Sequence, residues 1–379
     1  MKKFLLLLFL FAFGLLKNCF PQGAPPWERP LMICYSADGI NFTSPVIYQD
    51  SSGVPSVVKD STGRLVAAFQ WFPAPLYSLH WDSVAVKFSL DSGMTWSFPQ
   101  SITVQNLPAN FQRPFDPTVV ALPGGQIRIY FSSGPPGTNT IATYSAIGTD
   151  GINYVFEPGI RFSQSGRNVI DPAVTIFGDT FQYTAPKGAP QDGAFHAKSG
   201  DGLNFIQLAD IVSDSSHQWT GNLMVDSLAM KFYGTGARGA TIWSRSTPNG
   251  SAWGPYAATN IAGGDPAIVK PSHAHYVMIF TGQPSPTPVV EIGDPEHLIV
   301  YPNPAKDYLT ISVSPKSMNV QMKIFDIMGR QLADKKYKTD PGETEQKINL
   351  DVSEFSNGFY FLMLKDDDKT ITQKFSVVK

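Results

Sequence analysis

Apolar positions in this chain fall in short runs of strand length, separated by Gly, Pro, Asn and Asp. Val54–Val58, Gln126–Phe131, Phe181–Ala185, Leu223–Val225 and Ala267–Val269 are such runs, and apolar stretches bounded by turn formers read as β-strands. Lys, Glu and Ala do not gather into helix-forming stretches. The longest apolar run, Phe4–Leu16, follows Lys2-Lys3 and gives way to small and polar residues, so residues 1–22 are expected to be a secretory signal peptide. That run is too short for a stable membrane span, and no other stretch is long and apolar enough, so no span is expected in the mature protein. Cys19 lacks the small residues a lipidation site needs before it, since Lys17 and Asn18 stand there.

Two interleaved ladders organise the middle of the chain. One is a tight turn followed by an aromatic: Asp38-Gly39-Ile40-Asn41-Phe42, Asp150-Gly151-Ile152-Asn153-Tyr154 and Asp201-Gly202-Leu203-Asn204-Phe205. Ser89–Trp96 and Asn249–Trp253 complete it. Asp-Gly and Asn-Gly favour positive φ and mark hairpins. The other ladder marks strand starts at Val54-Pro55, Asp116-Pro117, Asp171-Pro172, Thr220-Gly221-Asn222 and Asp265-Pro266. Proline is acceptable at the head of a strand, where its missing N–H breaks no ladder.

Both ladders repeat every 45–60 residues or so, the length of a four-stranded propeller blade. The first turn motif precedes the first strand starter, and the last starter has no turn motif after it. Leu31–Phe42 can therefore supply the outer strands of the last blade and close a ring. The fold expected is all-β: a five-bladed β-propeller over 24–282, a Pro-rich linker over 283–297 and a small immunoglobulin-like β-sandwich over 298–379. A six-bladed ring would need a sixth rung, which the sequence lacks.

Composition agrees with this and narrows the partners. Gly (32), Pro (31), Phe (26) and Tyr (14) are abundant, as β-rich chains require. A formal net charge of −2 with no basic stripe argues against nucleic-acid binding. Cys19 and Cys34 are the two cysteines, and one is expected to leave with the signal, so the core must hold the fold without a disulfide.

In a blade the chain runs from the inner strand outward, so the turn motifs lie on one face and the inner-strand heads on the other. Only the second face converges on the axis. It is expected to gather Asp116, Asp171 and Asp265 as candidate catalytic carboxylates, with Arg113, Arg167, Trp71, Trp81, His80 and Trp219 as candidate substrate-binding residues. Crowded carboxylates repel one another, so at least one is expected to keep its proton near neutral pH. Glycoside hydrolysis needs that property of an acid–base pair, aromatic faces suit sugar stacking, and Arg can pair with a carboxylated sugar. Repeated Asp-Pro also fits a structural device that caps local N–H groups. No cofactor is called for; Ca²⁺ could sit among Asp and water at the channel, but no ligand spacing specifies it.

Three resemblances follow from these residues. Tyr301-Pro302-Asn303-Pro304-Ala305, Lys323–Arg330, Asn357–Tyr360 and Lys374–Lys379 resemble, in order and spacing, the type A C-terminal sorting domain of the type IX (Por) secretion system. This implies export through the periplasm and the outer membrane to the cell surface or medium, with the secretion machinery as partner. Ser89–Trp96 resembles the S-x-D-x-G-x-T-W Asp box of sialidase-like propellers, which marks fold and not reaction. The Asp-Pro strand heads resemble the five-bladed arabinanase/β-xylosidase and levansucrase/invertase group. That likeness implies base and pKa-partner roles for Asp116 and Asp171, with Asp265 a third candidate. The first blade departs from it with Val54-Pro55, the fourth has no Glu, and Glu157 is the only glutamate well inside the propeller. Two readings stay open: a secreted glycoside hydrolase acting on a polysaccharide or glycoconjugate, or a non-catalytic propeller that binds glycan or protein at the cell surface.

Overall fold

A computed structural model of the chain describes residues 29–73, 80–282, 298–313, 319–326, 330–340, 346–366 and 369–379. The signal expected at 1–22 and the linker expected at 283–297 lie outside them. The chain divides into two units, Met1–Ser285 and Pro286–Lys379. No α-helix occurs among the described residues.

In the first unit each repeat becomes one sheet. The innermost strands are Ser52–Lys59, Phe115–Ala121, Ala173–Phe177, His217–Asp226 and Gly264–Ser272. Each begins a sheet whose further strands lie side by side in meander order. The last sheet is completed by the N-terminal strand Leu31–Ser36, which pairs antiparallel with His275–Thr281 from Leu31↔Thr281 to Ser36↔Tyr276. Each inner strand touches the next, around to the first. The five described sheets thus stand as blades about one axis, a β-propeller.

Both faces of every blade are covered, which explains why strands such as Leu65–Trp71 are apolar without alternation. Five separate cores fill the five gaps between neighbouring blades. Phe69, Tyr130, Tyr183, Phe232 and Phe280 are among the fully buried side chains there. Each such side chain contributes roughly 1.5–3 kcal/mol by leaving water.

The Asp-box turns are structural. In the full box, Asp91 Oδ1 accepts from Ser89 Oγ (2.8 Å) and Thr95 N (2.9 Å), and Asp91 Oδ2 accepts from Thr95 Oγ1 (2.6 Å). Asp38, Asp150 and Asp201 hold their own turns in the same way, and Asn249 does so in the fourth blade. Thr95 hydrogen bonds, first among these contacts, hold the Asp91 carboxyl below the usual carboxylate range. The box glycines have positive φ and pack on the preceding blade: the Tyr130 hydroxyl donates to Gly202 O (2.9 Å) and the Tyr233 hydroxyl to Gly39 O (3.0 Å).

The second unit pairs a three-stranded sheet with a four-stranded one over a single core that includes Leu309, Ile311, Ile324, Leu362 and Phe375. Its first and last sequence motifs meet. Ala305 N donates to Ser376 O (2.7 Å), Val378 N donates to Ala305 O (2.9 Å), and Asn303 Oδ1 accepts from the Ser376 backbone and hydroxyl (2.9 Å each).

Candidate functional site

Asp116, Asp171 and Asp265 come from three blades but share one backbone feature. Their φ values are +49°, +54° and +46°. Val54, at the equivalent position of the first blade, has φ +46°, and Gly221 serves in the fourth. The register shifts at this point in four blades, between Gly53 and Ser56, Phe115 and Thr118, Gln218 and Gly221, and Gly264 and Ala267. Four of the five inner strands therefore enter the ring through a left-handed kink, and that of the fourth blade enters through Gly221 at φ +144°. Asp tolerates that conformation and Gly adopts it freely, whereas a β-branched Val is strained in it. The positive φ thus joins capping as a reason for the Asp-Pro ladder, since Asp116 also accepts a backbone N–H from Asp171.

The kinked heads are stitched across blades. Asn222 Nδ2 donates to Pro55 O (2.8 Å), Val119 N to Ser56 Oγ (3.1 Å), Asp265 N to Thr235 Oγ1 (2.8 Å), and the Thr118 hydroxyl to Pro172 O. Further along the inner strands, a channel cavity of about 260 Å³ is lined by one stretch from each blade, starting at Ser56, Val119, Val174, Asn222 and Ile268. The three carboxyls sit at the head end of that channel.

They interact. Asp171 N donates to Asp116 Oδ2 (3.3 Å). Burial pushes the Asp116 carboxyl up to about 6, helped by the charge of Asp265 and opposed by hydrogen bonds from Asp171 and Ser132. Asp171 is raised well above the carboxylate range by burial first and then by the charges of Asp116 and Asp265. Asp265 is also raised by burial, while Thr220, Arg29 and Thr281 pull it down. Asp116 is 7% exposed, and Asp171 and Asp265 are half-buried. All three carboxyls are thus shifted toward their protonated forms, with burial the first cause in each.

The remaining candidates divide. Arg113 and Arg167 are exposed, and each donates one hydrogen bond to a backbone carbonyl, Trp81 O (2.8 Å) and Lys187 O (2.6 Å) respectively. His80 is exposed, bonds Ser101 Oγ through Nδ1 (2.9 Å) and stacks on Trp71 with ring centroids 6.2 Å apart. Trp71 and Trp81 are only half-buried, the latter packed edge-on against Phe72. Trp219 does not reach the mouth. It is 1% exposed, stacked on Phe232 and wedged against Trp243 and Trp253 in the core between the third and fourth blades. Its place beside the inner strand suggested the rim, but its side chain alternates into the interblade gap.

Glu157 is likewise committed elsewhere. It lies within the outer strand Asn153–Phe162, bound to Arg128 Nε (2.9 Å) and Nη2 (3.0 Å) and to the Ser145 hydroxyl (2.7 Å). Arg128 in turn donates to Asp201 O in the next Asp box (2.9 Å), so this pair ties two blades together. Among the described residues no group of three or more His, Cys, Asp or Glu side chains is arranged to hold a metal ion.

No curated protein matches the chain. Among solved structures it is similar to a Bombyx mori GH32 β-fructofuranosidase (12% identity, TM-score 0.45, covering 94% of this chain and 90% of that one). It is also similar to a Clostridium thermocellum α-L-arabinofuranosidase (12% identity, TM-score 0.46, 87% of this chain and 94% of that one). A third is a family 117 glycoside hydrolase from Zobellia galactanivorans (10% identity, TM-score 0.47, 64% of this chain and 86% of that one). Residues 299–378 match the secretion system C-terminal sorting domain. The C-terminal sandwich is therefore a sorting domain, and the propeller is cargo for type IX export.

Proposed function

We propose that the propeller is an exported glycan-directed protein that engages polysaccharide at the face where the inner strands begin, and hydrolyses it with its three-carboxyl cluster. The observation that supports this is the meeting of Asp116, Asp171 and Asp265 from three blades in one desolvated group at the head of the channel. Asp171 is the proton donor, kept protonated by burial and by its two acidic neighbours. Asp265 is the base, since Arg29, Thr220 and Thr281 favour its ionised form against burial. Asp116 is the partner that sets the proton affinity of Asp171. In the reaction Asp171 protonates the glycosidic oxygen as the anomeric C–O bond breaks. Asp265 takes a proton from the water whose oxygen bonds to that carbon.

A second reading, binding without turnover, is favoured by Val54 and Gly221, which leave two of the five strand heads without a carboxyl, and by the commitment of Glu157 to Arg128. A panel of polysaccharides and aryl-glycosides with the full chain separates the two. Turnover that Asp171→Asn and Asp265→Asn abolish while binding persists supports hydrolysis. Binding with no turnover, unchanged by either substitution, supports the second reading. Whether the exported product stays on the surface or is released is decided by fractionating cells and medium.

A further inference from the structure

The mouth face also holds a cavity separate from the carboxyl cluster. It lies between the first and second blades, has a volume of about 410 Å³, and has mainly apolar walls that include Val84, Ile102, Val104 and Leu107. One edge is polar: His80 Nδ1 and Ser83 Oγ both contact Ser101 Oγ, at 2.9 and 3.0 Å. Arg113 forms another part of the rim. Its guanidinium is pinned by the bond from Nη1 to Trp81 O (2.8 Å), and it has no carboxylate partner among the described residues. By contrast Arg64 and Arg128 are ion-paired, at 2.8 and 2.9 Å.

We propose that this cavity is a subsite for one carboxylate-bearing sugar residue, a uronate of an acidic polysaccharide, with Arg113 as its carboxylate clamp. The proposal rests on the glycan-directed reading above. A uronate ring presents what the cavity is built to meet: an apolar ring face, hydroxyls at its edge and a planar carboxylate. The volume lies at the lower end of ligand pockets, of order 300–1,000 Å³, and suits one or two sugar rings. A planar guanidinium fork matches a carboxylate with two parallel bonds, and pinning one nitrogen orients the rest. Arg167 repeats the arrangement on the next crossing, with one bond to a carbonyl and an exposed guanidinium. Such repetition fits a polymer carrying a charge on successive residues.

The test titrates the full chain by calorimetry with oligogalacturonate, its carboxyl-reduced counterpart and an oligosaccharide of sulfated galactan. Oligogalacturonate is expected to bind tightest, and Arg113→Gln to weaken it about tenfold while leaving the reduced sugar unchanged. Arg113→Lys should recover only part of the loss. Leu107→Trp, which fills the cavity without altering charge, should weaken both sugars. Equal affinity for the uronate and its reduced form, or an Arg113→Gln protein of unchanged uronate affinity, overturns the clamp while leaving glycan binding intact. Tighter binding of the sulfated galactan overturns the carboxylate assignment. Binding of no glycan overturns this inference and the reading beneath it together.

Discussion

Replacing Asp116 by Asn should stabilise the propeller, and increasingly so as pH rises. The Asp116 carboxyl titrates at about 6 in the fold because burial disfavours its charge. In the unfolded chain it titrates near 3.9 or so. The unfolded state therefore ionises first, and between those values folding must take up a proton. A raised acid pKa means that stability is lost as pH rises through this window and is intact below it. Two pH units at about 1.36 kcal/mol each give a penalty of about 0.5 kcal/mol at pH 4 that grows to about 3 kcal/mol at pH 7.5. The neutral amide escapes it and keeps an oxygen to accept the Asp171 N–H bond. Urea unfolding can be followed by tryptophan fluorescence, which reports the propeller alone, because all seven tryptophans precede residue 286. With an m-value of about 3 kcal/mol/M, the variant midpoint should exceed the wild-type midpoint by about 1 M at pH 7.5 and by little at pH 4. A midpoint difference that does not vary with pH would show that Asp116 is not a desolvated carboxyl and would refute the reasoning.

Four further outcomes follow from the same geometry. Gly202→Ala places a Cβ 2.5 Å from Arg128 Nη1 and 2.6 Å from the Tyr130 hydroxyl at φ +71°, so it should cost about 3 kcal/mol in the urea assay. Gly63→Ala, at φ +90° with nothing within 4 Å, should cost only about 1 kcal/mol. Burial opposes ionisation of Asp226, yet hydrogen bonds from Lys231, Lys270 and Tyr276 hold its carboxyl well below the usual range. Its contribution is thus fully present above the unfolded-state pKa and is lost as pH falls through the depressed folded value. Asp226→Asn should cost about 3 kcal/mol at pH 7 and keep most of that cost near pH 3, measured by urea unfolding at both values; a cost gone by pH 3 would show that the carboxyl is not held so low. Glu157→Gln should lower stability by about 3 kcal/mol by leaving Arg128 unpaired. It should leave glycan turnover or binding unchanged; a loss of turnover with stability retained would give Glu157 a part in the reaction.

Repetition made the architecture legible. Turn motifs and Pro-marked strand heads each recur once per blade because each blade needs one tight turn and one entry to the axis. Their phase identified Leu31 onward as outer strands, and Leu31–Ser36 does lie beside His275–Thr281. The Asp-Pro heads also announced Asp116, Asp171 and Asp265. What the sequence could not show is that Val54 occupies the same left-handed kink as the three Asp heads, since only backbone angles reveal the shared role of Val and Asp. Side-chain direction was equally hidden. Trp219 and His217 are close neighbours in one strand, yet Trp219 enters the interblade core while His217 stacks on Tyr256 at 3.6 Å. Glu157 is drawn to Arg128 by a pairing across strands that no local pattern encodes. The cavity beside Arg113 arises where Gln100–Ser101 leaves the first blade and Thr103–Gln105 joins the second, an exchange between sheets that the ladders do not record.

The carboxyl cluster can be observed directly by infrared difference spectroscopy of the full chain labelled with ¹³C-aspartate at neutral pH. A protonated-carboxyl C=O band is expected at pH 7, absent from the Asp171→Asn protein and shifted when the glycan selected by the panel is added. No such band at pH 7, or one that ignores bound glycan, would contradict a proton-holding cluster that meets sugar at the channel mouth.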